Sequence, residues 1–258
     1  MSYKVLDLFS GIGGFSLGLE RAGMETIAFC EFNEHARKVL NKHWPNVPIH
    51  KDVRVLDGKQ YRGAVDVVCG GFPCQDLSTA GKRKGFDGER SSLYREMLRI
   101  ISDCRPRWAI FENVTGLLNG DTGRWFSEFL NDLAKIGYDA EWHCISASEL
   151  GAHHHRDRIW IIAYPTKLTW NEQKARIGSK VFEQTIRFKK LGGLRDKGFD
   201  KKQNGLEGFV LKSGFCRRNN GFSEGVDRLA RLGNAVVPQI PELIGRAIIE
   251  FEKKTKPQ

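Results

Sequence analysis

Residues 7–18 read DLFSGIGGFSLG, and the way this stretch folds decides how the rest of the chain is organised. The apolar burst from Val5 to Phe9 runs directly into Gly11, Gly13 and Gly14, and from Gly14 to Ala22 the apolar residues recur at helical spacing. A strand, a glycine turn and a helix in that order open a βαβ unit. The glycines let the backbone turn tightly and approach a ligand without Cβ interference. Their spacing is not G-x-G-x-x-G, so the turn alone does not specify a dinucleotide.

The alternation continues to about residue 165. Strand-length apolar bursts at Thr26 to Cys30, Val65 to Cys69, Trp108 to Phe111 and Ile159 to Ala163 are separated by helix-like stretches at Asn33 to Trp44, Ser92 to Cys104 and Gly123 to Ile136. This pattern predicts a doubly wound α/β fold with a largely parallel sheet. From Thr166 to Gly225 it gives way to Gly, Lys, Arg and spaced aromatics, read as a small second region of short strands or loops. Helical spacing returns at Ile240, Leu243, Ile244, Ala247, Ile248 and Phe251, with Pro241 near the helix start, so this helix is expected to pack back on the sheet. The expected division is therefore a catalytic and ligand-binding part at 1–165, a basic region at 166–225 and a returning segment at 226–258.

The 258 residues, 40% apolar and with 16 Phe, are enough for one large core. The N-terminus has no basic-then-apolar leader and no window approaches eighteen uncharged apolar residues, so a soluble, cytoplasmic protein without membrane attachment is expected. Six cysteines without a C-x-x-C pair read as reduced, mostly buried thiols. The net charge of +10 is unevenly distributed. Residues 1–165 carry 21 Lys+Arg against 21 Asp+Glu, whereas the remaining 93 carry 20 against 10. A solvated basic face is the plainer reading; a polyanion, and nucleic acid in particular, is the one preferred.

In an open parallel sheet a ligand sits beyond the carboxyl ends of the strands, and the candidate residues fall there. Glu31 ends the second strand, twenty residues after Gly11, where a carboxylate accepts from a ribose diol. Asp52 in KDV offers a further polar contact, or simply a loop cap. Together they point to an adenosine-containing ligand. Cys74 follows CGGFP just past the strand at Val65 to Cys69, and Pro73 stiffens the backbone before it. Cys69, Cys104 and Cys144 suit a packing role, but a thiol held rigidly at a strand's carboxyl end suits a nucleophile. Glu112 in FENV, flanked by apolar residues, is read as a general acid of raised proton affinity, with a turn cap as the alternative. Arg156 and Arg158 alternate in step and so point one way from the start of a strand, as a clamp on an anionic or carbonyl-rich group; a surface pair with Asp157 is the alternative. Three consecutive histidines, His153 to His155, do not converge on one ion, and no metal is expected.

In these motifs, DLFSGIGGF, Glu31, GGFPCQDLS, FENV, RDRIWIIA and RLGNAVVPQ, the chain resembles the bacterial and prophage cytosine-5 DNA methyltransferases, over about residues 3–165 and 226–250. The resemblance implies a Rossmann-like methyltransferase fold, S-adenosyl-L-methionine as methyl donor and a double-stranded DNA substrate whose target cytosine is flipped out. It implies that Cys74 adds to cytosine C6, that Glu112 acts on N3 and the exocyclic amine, and that Arg158, with Arg156 nearby, holds the O2 side. On the cofactor side it points to Phe9, Gly11, Gly13, Glu31, Asp52, Val53, Pro73 and Leu93, with Asn234 and Val236 returning from the far end. Lys189, Lys190, Lys201, Lys202, Arg217 and Arg218 in the basic region are the expected phosphate contacts. A monomer is expected, and a companion restriction endonuclease is left open.

The chain departs from the pattern between Tyr164 and Asp227, where only about sixty residues stand in place of the larger recognition region usual in the family. Three alternatives remain at this point, the first a catalytically silent DNA-binding module, which would keep the basic region but would be expected to have lost the nucleophile or the acid. An RNA cytosine-5 methyltransferase would share every motif, and a dinucleotide-dependent oxidoreductase would share the glycine turn and the acidic residue while giving Cys74 and Glu112 no role.

Overall fold

The computed structural model describes residues 2–73, 93–150, 156–166 and 235–255. The stretch that opened the reading forms β1 (Lys4–Leu8) and α1 (Gly14–Arg21), joined by a turn in which Phe9, Gly11 and Gly13 all have positive φ, at 53°, 54° and 89°. The chain continues through β2 (Glu25–Cys30), α2 (Glu34–His43), β3 (Ile49–His50), β4 (Val67–Gly70), α3 (Leu93–Cys104) and β5 (Trp108–Val114). A single turn, α4 (Gly116–Asn119), precedes α5 (Arg124–Lys135), β6 (Tyr138–Ser146), β7 (Asp157–Pro165) and the closing helix α6 (Gln239–Thr255).

The seven strands form one sheet in the order β3-β2-β1-β4-β5-β7-β6. β1 to β5 are parallel, while β7 runs antiparallel to both β5 and β6. Period-two alternation divides the apolar side chains between two cores. Leu6, Leu8, Val68, Phe111 and Ile161 face one layer with Met97 and Ile101 of α3 and Phe129 of α5. Val5, Val67, Cys69, Trp108, Ile110 and Trp160 face the other, with Phe15 and Leu19 of α1 and Ile244 and Ile248 of α6. The doubly wound α/β expectation holds, and so does the return of the last helix to the sheet.

Two features differ from the sequence reading. β3 has two residues and β6 is an edge strand buried only at Tyr138 and Ile145, so neither gives an apolar burst. Cys144, expected to be a packing residue, is exposed for the same reason, whereas Cys30, Cys69 and Cys104 are buried. The basic region 166–225 lies outside the described residues but for Thr166. Among the described residues no helix is long and apolar enough to cross a membrane.

The second core depends on the close crossing of α1 with the returning segment. A Cβ at Gly14 would lie 2.5 Å from the Val236 carbonyl oxygen, and one at Gly18 would lie 2.2 Å from that of Pro238 and 2.9 Å from the Glu242 nitrogen. Beneath this crossing Asp7 is fully buried, and Ser16 Oγ donates to its Oδ2 at 2.8 Å. Burial pushes the Asp7 carboxyl up to about 7.

Two stability predictions follow from these contacts. Alanine ordinarily favours a helix over glycine by about 1 kcal/mol, but Gly18→Ala forces backbone apart and is expected to cost about 1–3 kcal/mol as overpacking does, measured by thermal unfolding. Asp7 stays protonated in the fold up to about pH 7, whereas in the unfolded chain it ionises near pH 4. Unfolding between those values releases a proton, so this group makes stability fall as pH rises, by up to about 1.4 kcal/mol per pH unit. Urea titrations at pH 5 and pH 7 are expected to show that fall in the wild type and a smaller one in Asp7→Asn.

Candidate active site

The carboxyl ends of β1, β2, β4 and β5 converge on one edge of the sheet, and the first constraint there is space. A Cβ at Gly70 would lie 2.4 Å from the Leu8 carbonyl oxygen, and one at Gly71 would lie 2.9 Å from Glu112 Oε2. The glycine pair before Phe72 and Pro73 is therefore required by the approach of β1 on one side and of the Glu112 carboxylate on the other. Asn113 Nδ2 donates to the Phe72 carbonyl at 3.3 Å, and its own Oδ1 accepts from Val114 N at 2.8 Å. β5 thus fixes the backbone that leads to Pro73, the last residue described before Cys74, which lies outside the described residues.

Glu112 lies on the face of β5 that packs toward α6, and its side chain is almost wholly buried. Arg158 Nε approaches Oε1 to 3.0 Å and Arg156 Nη2 to 3.5 Å. Both contacts fall on the same buried oxygen. Burial raises the Glu112 carboxyl above its ordinary range, against the two guanidinium groups, which pull it down. Burial likewise lowers the Arg156 guanidinium, helped by the charge of Arg158 and opposed by Glu112. The two arginines thus point one way, toward an acid rather than toward Asp157, whose backbone carbonyl accepts from Arg158 Nη1 at 2.8 Å.

The glycine turn is built against Glu31. Gly11 N donates to Glu31 Oε2 and Asn33 N to Oε1, each at 2.7 Å, so the carboxylate ties the β1 turn to the start of α2. A Cβ at Gly11 would meet nothing within 4 Å, whereas one at Gly13 would lie 2.6 Å from the Trp44 ring. The turn is open on its ligand side and closed beneath. Phe9 has positive φ without being glycine, a strained conformation of the kind that gathers at functional sites.

The remaining predicted residues divide by what they present. The Asp52 carboxylate is engaged by Arg54, whose Nη2 lies 2.7 Å away, and this bond holds its proton affinity below the ordinary carboxylate range. The Val53 side chain is buried in the core. Leu93 is the first residue of α3 and packs on the α3–α5 core, and Val236 lies against Gly14 beside the turn. Asn234, Lys189, Lys190, Lys201, Lys202, Arg217 and Arg218 lie outside the described residues. Among the described residues no group of three or more His, Cys, Asp or Glu could hold a metal ion, and His153 to His155 lie outside them.

Two residues escaped the sequence reading. Phe32, next to Glu31, is 73% exposed, with Arg54 over its ring at 5.9 Å. A single Phe in sequence reads as core, and only its place after a strand-ending acid marked it. Asn113 stood inside the quoted FENV, but its bond to the Phe72 carbonyl needs the pairing of β4 with β5 to be seen.

The chain is similar to known proteins in both sequence and fold. It is 41% identical over 164 residues to the type II methyltransferase M.Eco47II of Escherichia coli, a match covering 62% of this chain and 39% of that protein. It is 32% identical over 225 residues to M.DsaV of Dactylococcopsis salina, covering 85% of this chain and 62% of that one. A crystal structure described as a DNA modification methyltransferase encoded within an E. coli prophage superposes with a TM-score of 0.56 at 28% identity, covering 67% of this chain and 49% of the other. The chain thus spans about two-fifths of the length of the first curated relatives it matches. The model of the C-5 cytosine-specific DNA methylases matches residues 3–220, most of the chain and all the glycine-turn, Glu112 and arginine motifs, and the chain belongs to that family.

Proposed function

We propose that this protein transfers a methyl group from S-adenosylmethionine to C5 of a cytosine in DNA, through a covalent bond between Cys74 and C6 of the base. The observation that carries the reading is the buried Glu112 carboxyl, pressed between Gly71 and two arginines at the end of the segment that leads to Cys74. Aromatic C5 is a poor nucleophile, and adding a thiolate at C6 divides one hard step into easier ones.

The residues present fit the donor. The Gly11 turn leaves open space at the start of α1, Phe32 offers a ring to stack on, and Glu31 and Asp52 are acceptors at the same edge. When bound, S-adenosylmethionine supplies an electrophilic methyl on a sulfonium. The chain does the rest. The Cys74 thiolate forms the bond to C6 while Glu112 gives a proton to N3, which leaves C5 electron-rich. Arg158 and Arg156 hold the O2 side of the ring. Once C5 carries the methyl, loss of its proton to water re-forms the double bond and expels the thiolate, and N3 returns its proton to Glu112. The basic region binds the phosphates that flank the target.

DNA containing 5-fluorocytosine keeps its C5 substituent and blocks that last step, so a denaturation-resistant adduct is expected with wild-type protein and cofactor, and neither adduct nor methylation with Cys74→Ser. Running the transfer assay on duplex DNA and on transfer RNA in parallel decides the nucleic acid; faster transfer to the RNA sinks the DNA reading.

Acid and cofactor roles separate by substitution. Glu112→Gln keeps the shape without the proton, and methylation is expected to fall by roughly a hundredfold or more while S-adenosylhomocysteine binding holds. Phe32→Ala is expected to do the reverse, weakening that ligand by about tenfold as lost ring contact does. Because the raised Glu112 carboxyl must be protonated to donate, the wild-type rate is expected to fall as pH rises through its raised pKa. Calorimetry and a pH–rate profile check both.

A further inference from the structure

Arg99 lies in the second turn of α3, outside the sequence motifs and away from Glu112, yet it reaches across to the segment that carries Asp52 and Val53. Its Nη2 donates to the Val53 carbonyl at 2.8 Å and its Nη1 to the Leu56 carbonyl at 3.0 Å. Glu96 Oε2 accepts from Nε at 2.8 Å and aims the guanidinium, and Asp103 Oδ2 lies 3.5 Å from Nη1. Within the segment Arg54 N donates to the Asp52 carboxylate at 3.0 Å, but the bonds from backbone to backbone, Val55 N to Asp52 O and Leu56 N to Val53 O, are both long, at 3.4 Å. Val53 and Leu56 turn inward to the core, while Val55 between them is 82% exposed. Two charge-assisted bonds from one planar group therefore fix the carbonyls of Val53 and Leu56, which the Asp52–Arg54 contacts do not engage.

We propose that Arg99 is a positioning residue for the methyl donor, clamping the Asp52–Leu56 segment so that it presents a fixed wall to the adenosine half of the ligand. This rests on the proposed use of S-adenosylmethionine at this edge. The clamp joins the wall to α3, whose first residue, Leu93, is one of those assigned to the same ligand, so both sides of the adenosine site are set by one helix.

Arg99→Ala is expected to raise the dissociation constant for S-adenosylhomocysteine about tenfold, the effect of losing bonds to a charged donor, and to raise KM for the donor while kcat at saturation falls less than twofold. Arg99→Lys, which keeps the charge and reaches one carbonyl, is expected to recover part of the loss. Hydrogen exchange of the ligand-free protein is expected to quicken at residues 53–56 and not in β4 or β5. Unchanged affinity in Arg99→Ala, no recovery with lysine, or exchange that quickens across the whole sheet overturns the clamp. Wild-type protein that binds no S-adenosylhomocysteine overturns the functional reading and this inference with it; wild-type binding that Arg99→Ala leaves intact overturns this inference alone.

Discussion

A carboxylate removed from water at the end of β5 is the constraint around which the site is arranged. Glu112 is buried on the α6 side of the sheet, opposite Trp160 in the β5–β7 register, with Arg158 two pairs further along, opposite Val114. That register is what brings the guanidinium to 3.0 Å. A slip of one residue would turn every side chain of β5 to the other face, sending Glu112 toward α5 and Asn113 away from the Phe72 carbonyl. The same carboxylate denies Gly71 a side chain. One buried acid thus sets the register of two strands and the composition of the turn between β4 and the segment bearing Cys74.

Much of this was legible because burial leaves a pattern. β1, β4 and β5 are covered on both faces, so their apolar runs stood out, and the glycines of the turn marked positive φ at Gly11 and Gly13. The i, i+2 spacing of Arg156 and Arg158 gave their common direction. What escaped has physical reasons too. β6 is half wet, so its alternation of Asp139, Glu141 and His143 with Ala140, Trp142 and Cys144 carries no apolar run. Periodicity reports which face a residue takes but not which way a strand runs, so the antiparallel entry of β7 between β5 and β6 left no trace. Contacts such as Asn113 to Phe72 and Arg99 to Val53 span 41 and 46 residues, and composition has no record of them.

The last helix explains how residues far apart in sequence share one edge. α6 crosses α1 where Gly14 and Gly18 leave no room for side chains, and Gly245 faces Ala22 at the other end of the crossing. At its far end Glu252, buried, accepts from Trp108 Nε1 at 3.0 Å and pairs with Arg107 Nη2 at 2.6 Å, at the start of β5. The helix therefore runs from beside the glycine turn to the opposite end of the sheet, fixed at both. The chain leaves the sheet at Pro165 and resumes on the far face by Ala235, and the α1–α6 layer needs only those two points to be tethered. A chain segment of any size fits between those two points without altering the core.

On the proposed chemistry, the resting ion pairs account for the timing of the proton. Two influences act oppositely on Glu112: burial raises its proton affinity, and Arg156 and Arg158 lower it. With no base in the site the arginines lie on the carboxylate. A cytosine entering the pocket brings its own acceptor, O2, and a guanidinium that turns to that oxygen loosens its hold on Glu112. Entry of the ring also drives out remaining water, which strengthens the effect of burial. Both changes raise the affinity of Glu112 for a proton at the moment when N3 of the base lies against it, and a protonated Glu112 is the form that polarises the ring for attack at C6. The arginines then serve twice, first keeping an otherwise costly buried charge paired and afterwards leaving it for the substrate. A buried acid with a fixed hydrophobic wall in place of Arg158 would hold its proton whether or not a base were present, and would lose this dependence on the substrate.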